Sequence, residues 1–121
     1  MKSAFNYVDA FVIPVPTKNL VAYKKMAKVM AKICVENGAL SYAECQADDV
    51  EAGEETSFPK SVKMKKNETV FLAIITYKNR AHQNSVMKKI MADPRMDKMS
   101  EMNLVDGMRM FWGGFKAVVK A

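Results

Sequence analysis

The sequence predicts an α+β fold in which strands and helices follow the order β-α-β-β-α-β and the strands form an antiparallel sheet. Residues 69–77, TVFLAIITY, are apolar at both odd and even positions and rich in β-branched residues, which is typical of a strand covered on both faces. Two other segments carry apolar residues at three- and four-residue steps, the spacing of amphipathic helices. Cap and turn residues separate these segments.

Four strands are predicted from the alternation of side chains. The first covers residues 7–15 and is expected to end at Pro14 and Pro16; the others are predicted at 39–46, 69–77 and about 109–119. Gly113 and Gly114 indicate a bulge or a close backbone approach in the last strand. Residues 57–66 are ambiguous, with an extended edge segment as one interpretation.

Two helices are predicted between these strands. The first is capped by Thr17 or Asn19 and stops at Gly38. Its inner stripe is Leu20, Tyr23, Ala27, Met30 and Cys34. The second is capped by Asn79, ends at Asp93 and Pro94, and carries inward Val86, Met87, Ile90 and Met91. A short methionine-rich linker with room for one helical turn leads from it to the last strand.

This order of elements is the ferredoxin-like arrangement, in which both helices lie on one face of the sheet. Two helices cover only that face, whereas residues 69–77 have no polar side. An exposed apolar sheet would form a larger patch than soluble monomers normally tolerate. The sequence therefore predicts a homodimer built by the uncovered sheet faces.

Length and composition favour a single domain spanning residues 1–121. The net charge is +6, but the lysines are spread along the chain and the basic run at residues 60–66 lacks interleaved aromatic residues. We therefore expect no nucleic-acid partner. No segment approaches the roughly 20 apolar residues of a membrane helix, so no membrane association is expected either.

The cysteine and histidine content argues against a metal site. Cys34 and Cys45 do not form a Cys-x-x-Cys pair, and His82 is the only histidine. The sequence therefore predicts free thiols, no metal, no cofactor and a cytoplasmic location. The eleven methionines are interpreted as adaptable core and interface filler, with a metal-binding or promiscuous groove as the alternative.

Several fragments, in this order and spacing, resemble one family. They are YVDAFVIPVP from Tyr7, Gly38-Ala39-Leu40, Glu44-Cys45, Ser57-Phe58-Pro59, Arg80-Ala81-His82, Met91-Ala92-Asp93-Pro94-Arg95 and Gly113-Gly114-Phe115. Together they resemble the YbaA-like family of uncharacterised bacterial proteins across nearly the whole chain, although Ala10 stands where glycine is more usual. The resemblance implies a ferredoxin-like, dimeric α/β-barrel fold. It assigns no reaction, so no catalytic residue is carried over, and the wider superfamily includes cofactor-independent monooxygenases, isomerases and haem-degrading enzymes.

His82 is one candidate for chemistry, because it is placed in the first turn of the second helix near the inward Val86. The positive end of the helix dipole disfavours an imidazolium there, so a neutral base or metal ligand is conceivable. The alternative is a helix-start histidine that is hydrogen-bonded to backbone or water.

Asp9 and Glu44 are the other catalytic candidates, since both interrupt apolar strands and a buried carboxylate needs a donor or a proton. They act as acid and base in one interpretation and are simply hydrogen-bonded in the other. The candidate partners are Tyr7, Tyr42, Arg80, Arg109 and Trp112.

Two classes of function remain open on this basis. The first is a dimeric small-ligand-binding or stress-related module, which the absence of a recognisable nucleophile or cofactor motif favours. The second is a small cofactor-independent enzyme, monooxygenase- or isomerase-like, that acts on an apolar organic substrate. In either case the ligand is expected between the sheet and the second helix. Its expected lining is Asp9, Glu44, His82 and Trp112, with Tyr42 and Arg109 as further ligand-binding candidates.

Overall fold

The structure is a computed structural model that describes residues 5–121. Its elements are β1 (Tyr7–Pro16), α1 (Leu20–Glu36), β2 (Ser41–Gln46), α2 (Phe58–Ser61), β3 (Glu68–Tyr77), α3 (Arg80–Ala92), α4 (Arg95–Glu101) and β4 (Phe111–Lys116), with a 3-10 turn at Thr17–Asn19. All strand pairs are antiparallel, and the strand order is β2-β3-β1-β4. The predicted α+β, ferredoxin-like fold class is confirmed.

The sheet has two different faces because side chains alternate along each strand. One face packs against α1 and α3, with Ile75 and Tyr77 of β3 in one cluster with helix residues such as Ile33 and Val86. The other face carries the alternate set of side chains, and α1 and α3 do not cover it. Its members across the four strands include Val8, Ala10, Ala43, Cys45, Leu72, Ile74, Phe111 and Phe115. We call this second surface the open face.

The first strand ends within one residue of its predicted end, but Pro14 lies inside the strand and does not terminate it. The strand continues to Pro16, with Pro14 opposite Val70 of β3. The backbone N–H of Thr17 donates to the carbonyl of Asn67, so by alternation the nitrogens of Pro14 and Pro16 point away from β3. Both proline nitrogens face the β4 side of β1, where the pairing between β1 and β4 ends at Val12. The prolines therefore cost no hydrogen bond between strands.

The predicted side-chain cap at the start of α1 is wrong, whereas its stop at Gly38 is confirmed and its inner stripe is largely confirmed. Asn19 stands at the N-cap position of α1, directly after the 3-10 turn, but no side chain caps this end of the helix. The hydroxyl of Thr17 instead donates to the carbonyl of Asn67, and the amide of Asn19 donates to the carbonyl of Leu104. Tyr23, Ala27, Ile33 and Cys34 are the buried residues of the helix. At its end Gly38 has a φ of +111°, a conformation that favours glycine.

The ambiguous segment before β3 is not an edge strand. It contains the one-turn helix α2, whose first turn is capped by the Ser57 hydroxyl, which accepts from the N–H of Lys60. Val62 follows the helix and is almost fully buried against Val12 and Val70. The segment therefore folds over one end of the open face.

The second predicted helix is confirmed with its cap, since the Asn79 side chain accepts from the N–H of His82 in α3. Val86 and Ile90 are buried as predicted, but Met91 is 68% exposed and was wrongly assigned to the inner face. The linker that follows forms α4, which is longer than the single turn expected. No helix within residues 5–121 combines the length and apolar character needed to cross a membrane.

The last strand is shorter than predicted and pairs with β1 in continuous register. The glycines provide a close approach and not a bulge. A Cβ on Gly114 would lie 2.2 Å from the hydroxyl oxygen of Tyr7, so the tyrosine ring occupies the space that a side chain would need. Gly114 thus lets Tyr7 lie across β4.

Candidate functional site

An apolar cavity of about 210 Å³ lies between the helix-covered face of the sheet and α1. Its far wall comes from α4 and the loop that leads to β4. The apolar lining consists of Phe11, Ile13, Met26, Met30, Ala73, Ile75, Met99, Val105 and Met110. The polar lining consists of Tyr23, Tyr42 and Glu44. The cavity therefore has one carboxylate in an otherwise apolar wall.

Glu44 is held by two tyrosines. The hydroxyl of Tyr23 donates to Oε1 at 2.7 Å, and the hydroxyl of Tyr42 donates to Oε2 at 2.5 Å. Tyr42 and Glu44 lie two residues apart on β2, so strand alternation turns both toward the helices. Tyr23 reaches them from the inner stripe of α1. These contacts connect the edge strand to the helix layer.

The two tyrosines are held in their neutral form. The pKa of the Tyr23 hydroxyl and that of the Tyr42 hydroxyl both lie far above the usual range. Burial is the largest cause, and the charge of nearby Glu44 is the second. Both groups therefore remain hydrogen-bond donors to the carboxylate over the whole physiological range.

The loop that closes the cavity is fastened at two points. The amide of Asn19 donates to the carbonyl of Leu104 at 2.8 Å, next to Val105 in the cavity wall. Arg109 precedes Met110 and donates to both carboxylate oxygens of Glu68, at 2.8 and 2.6 Å. Arg109, expected to bind ligand, is thus engaged in an ion pair and does not line the cavity.

Arg109 has further hydrogen-bond partners besides Glu68, and together they hold the loop before β4 in place. It donates to the carbonyls of Val62 and Lys63 and to the carboxylate of Asp106. Its hydrogen bonds hold the pKa of the buried Glu68 carboxyl below its usual value. The anchor therefore joins the cavity loop, the α2 segment and the start of β3.

Asp9 lies on the same sheet face as the cavity but does not line it. It is 1% exposed, and its Oδ2 accepts from the Tyr77 hydroxyl at 2.9 Å. The amide of Gln83 in α3 also donates to Oδ2, at 3.1 Å. The carboxylate is therefore enclosed by hydrogen bonds in the second half of the core, which corresponds to the bonded alternative in the sequence analysis.

His82 is half-buried and is also outside the cavity. Its Nδ1 accepts from the N–H of Lys78 at 2.9 Å, so it forms a local turn at the start of α3. The ring lies edge-on to Tyr77, with 6.0 Å between ring centroids. Among residues 5–121 no group of three His, Cys, Asp or Glu side chains lies close enough to hold a metal ion.

Trp112 lies on β4, where it is 58% exposed. It stacks on Phe11 at a centroid distance of 5.8 Å and lines an open groove beside Gln83 and Met87 of α3. Phe11 also lines the cavity, so it separates Trp112 from that space. The structure therefore does not bring the four expected lining residues together: of Asp9, Glu44, His82 and Trp112, only Glu44 reaches the cavity.

Sequence reasoning did not assign Tyr23 or any particular methionine to the site, although a methionine-lined groove was an open alternative. Tyr23 was assigned to the inner stripe of the helix, and a buried tyrosine hydroxyl usually needs a partner, which was the available signal. Met26 and Met30 lie one helical turn apart on α1, whereas Met99 and Met110 arrive from a segment distant in sequence. No spacing rule connects these two pairs.

Comparisons with known sequences identify relatives of this chain. A family model described as "Protein of unknown function (DUF1428)" matches residues 6–107. The "Uncharacterized protein YbaA" of Escherichia coli (strain K12) is 40% identical over 113 residues, which cover 93% of this chain and 97% of that protein.

Two solved structures are similar in fold at low sequence identity. One is a mutant of SnoaB, a cofactor-independent oxygenase from Streptomyces nogalater, with a TM-score of 0.61 at 12% identity, covering 95% of this chain and 96% of that chain. The other is a dimeric ferredoxin-like protein from an uncultured marine organism, with a TM-score of 0.55 at 12% identity, covering 96% of this chain and 99% of that chain. At this identity the likeness shows the fold alone. On the family match and the relationship to YbaA, the chain belongs to the DUF1428 family of proteins of unknown function.

Proposed function

We propose that this protein is a homodimeric binding protein that holds one small apolar organic ligand per chain in the cavity between the sheet and α1. The observation that carries the proposal is a cavity of about 210 Å³ whose wall is apolar except for Glu44 and its two tyrosines. Small-molecule sites commonly have this character, an apolar lining with a few placed polar groups.

The open face supports the homodimer. Phe111 and Phe115 at its β4 edge are 46% and 58% exposed, and Val118 and Val119, which follow β4, are more than 80% exposed. Apolar residues on all four strands would form a continuous patch in a monomer. A second copy has the same apolar face and can cover it isologously. The similar marine protein is itself described as dimeric.

A cytoplasmic location without a nucleic-acid or membrane partner fits this proposal. Cys34 and Cys45 are both free cysteines, as a reducing compartment would maintain them.

An enzyme is the second candidate, and Glu44 is the observation that favours it. A carboxylate in an apolar cavity is placed to accept a proton from a bound substrate. The similarity of fold to a cofactor-independent oxygenase is consistent with such chemistry. The cavity offers no second acid or base besides the two tyrosines, so Glu44 would be the base.

Ligand recovery tests the binding proposal. Protein purified gently from its source cells is extracted with organic solvent, and the extract is analysed by mass spectrometry. Ala73→Leu adds bulk to the cavity wall, whereas Ala22→Leu makes the same change on the exposed side of α1. We expect one compound from the wild type and Ala22→Leu, and little from folded Ala73→Leu.

Equal recovery from all three proteins, or none from the wild type, would contradict the cavity as a ligand site. Incubating the recovered compound with fresh protein separates the two functions: an unchanged compound supports the binding protein, and a converted one supports the enzyme.

A further inference from the structure

The unpaired charge of Glu44 is the feature of the cavity that indicates a ligand class. Among the residues that line the cavity, Glu44 is the only one ordinarily charged at neutral pH. Within residues 5–121 no lysine or arginine forms an ion pair with it. Glu68 and Asp93 do have such partners, in Arg109 and Arg95, whereas the buried Asp9 is held like Glu44 by neutral donors.

The carboxylate also has unused capacity to accept hydrogen bonds. An ionised carboxylate has about four acceptor positions on its two oxygens. Tyr23 and Tyr42 occupy one on each oxygen. The tyrosine oxygens can themselves accept further hydrogen bonds. A ligand with several N–H donors therefore meets a cluster of acceptors at this one point of the wall.

We propose that the cavity binds a small apolar organic cation, a protonated primary amine whose ammonium group is bound by Glu44. This inference rests on the proposed function, because it names the ligand class of the same cavity. A primary ammonium has three donors and no acceptor, so it can donate to the carboxylate and neutralise its charge. An anionic ligand would instead put a second negative charge beside Glu44.

The remainder of the wall suits the hydrocarbon part of such a ligand. Aromatic rings attract cations at their faces, and Phe11, Tyr23 and Tyr42 all line the cavity. Methionine side chains adapt to irregular shapes, which suits the four in the lining. An engineered cavity of about 150 Å³ is large enough for benzene, so this cavity of about 210 Å³ fits one ring with a chain of two or three atoms.

Lys24 and Lys28 are cationic side chains on α1, on the outer side of Glu44. They line an outer groove that shares Tyr42 and Glu44 with the cavity, and neither lies within 4.0 Å of the carboxylate. Both lysines are exposed, so water and salt screen their charge. They therefore leave the inner side of Glu44 available to a ligand.

Three probes of similar size test the inference by calorimetry at physiological salt. They are 2-phenylethylamine, 2-phenylethanol and phenylacetate, which carry a positive, a neutral and a negative polar end. We expect the amine to bind about tenfold more tightly than the alcohol, because charge-assisted hydrogen bonds are about twice as strong as neutral ones. Phenylacetate should bind most weakly.

Glu44→Gln keeps an acceptor for the tyrosines and removes the charge. It should reduce the preference for the amine over the alcohol to about twofold or less. Glu51→Gln removes an exposed charge in the loop after β2 and should leave the preference unchanged. If Glu44→Gln does not fold, the cation inference is tested by the ratio of amine to alcohol affinity in the wild type.

The outcomes distinguish failure of the cation inference from failure of the proposed cavity function. If the alcohol binds as tightly as the amine, or the preference persists in folded Glu44→Gln, the cation inference is wrong while the cavity remains a ligand site. If none of the three probes binds the wild type, the inference and the proposed cavity function both fail.

Discussion

The hydroxyl of Tyr23 lies 2.7 Å from Oε1 of Glu44, so a buried residue of α1 is hydrogen-bonded to the edge strand β2 at the wall of the cavity. This contact helps to position the carboxylate and also connects β2 to the helix layer. Tyr42, the second donor, belongs to the same strand as Glu44 and cannot provide that connection.

Replacing Tyr23 with Phe should lower the free energy of unfolding by about 1–2 kcal/mol, because Glu44 then loses a donor in a half-buried position. Urea unfolding followed by circular dichroism measures the change. Tyr7→Phe is the matched control, since the Tyr7 hydroxyl has no hydrogen-bond partner among residues 5–121. An equal loss in both variants would show that the Glu44 contact contributes nothing specific.

Replacing Ile74 with Asp should dissociate the proposed dimer. Ile74 lies on the open face, opposite Ala10 of β1, and an unpaired charge in a buried interface costs several kcal/mol. Sedimentation velocity at micromolar concentration gives the result. Val21→Asp introduces the same charge at a 71% exposed position of α1 and should leave the dimer intact. A compact wild-type monomer would refute the interface.

Ile75, the next residue of β3, lies on the opposite, helix-covered face of the sheet. Ile75 is 4% exposed and packs with Ile33 and Val86 on the helix side. Ile75→Asp should therefore unfold the chain, whereas Ile74→Asp should leave its secondary structure intact.

The two cysteines should differ strongly in reactivity. Burial, with smaller contributions from the Asp9 and Glu44 charges, raises the pKa of the Cys34 thiol to about 11. Cys45 is exposed on the open face and should be protected only by a partner subunit. After iodoacetamide treatment of native protein, mass spectrometry should find Cys34 unlabelled and Cys45 labelled faster in Ile74→Asp than in the wild type. A Cys34–Cys45 disulfide in fresh protein would contradict both the geometry and the reducing compartment.

The Glu68–Arg109 pair should make stability depend on pH on the acid side. The folded chain holds the pKa of Glu68 below the ordinary value of 4.5, so the contribution to stability is complete above that value. It is lost as the pH falls from about 4.5 through the lower folded pKa. Glu68→Gln should therefore be less stable than the wild type near neutral pH, and the difference should shrink in acid.

Unfolding by urea at a series of pH values checks this. Glu51→Gln, which changes an exposed carboxyl, serves as the control and should follow the wild type. A stability difference for Glu68→Gln that stays constant down to strongly acid pH would contradict the assigned role of the ion pair.

The sequence by itself determined the type and order of the main elements. Strand and helix periods are local properties, so residues 69–77, the inner stripe of α1 and the Asn79 cap could be predicted from neighbouring residues alone. The ferredoxin-like fold follows from that order. The contact between Gly114 and Tyr7 could be anticipated only as a close approach, since its partner is more than a hundred residues away.

Only the tertiary structure decided where the site lies. Asp9 and Glu44 carried the same signal in the sequence, a carboxylate in an apolar strand, but Asp9 meets Tyr77 and Gln83 while Glu44 meets Tyr23 at the cavity. Which acid faces a cavity depends on strand order and on how α1 and the α4 loop pack, and these contacts join residues far apart in the chain. Side-chain periodicity specifies a face of a strand, whereas the neighbours on that face are set by long-range packing.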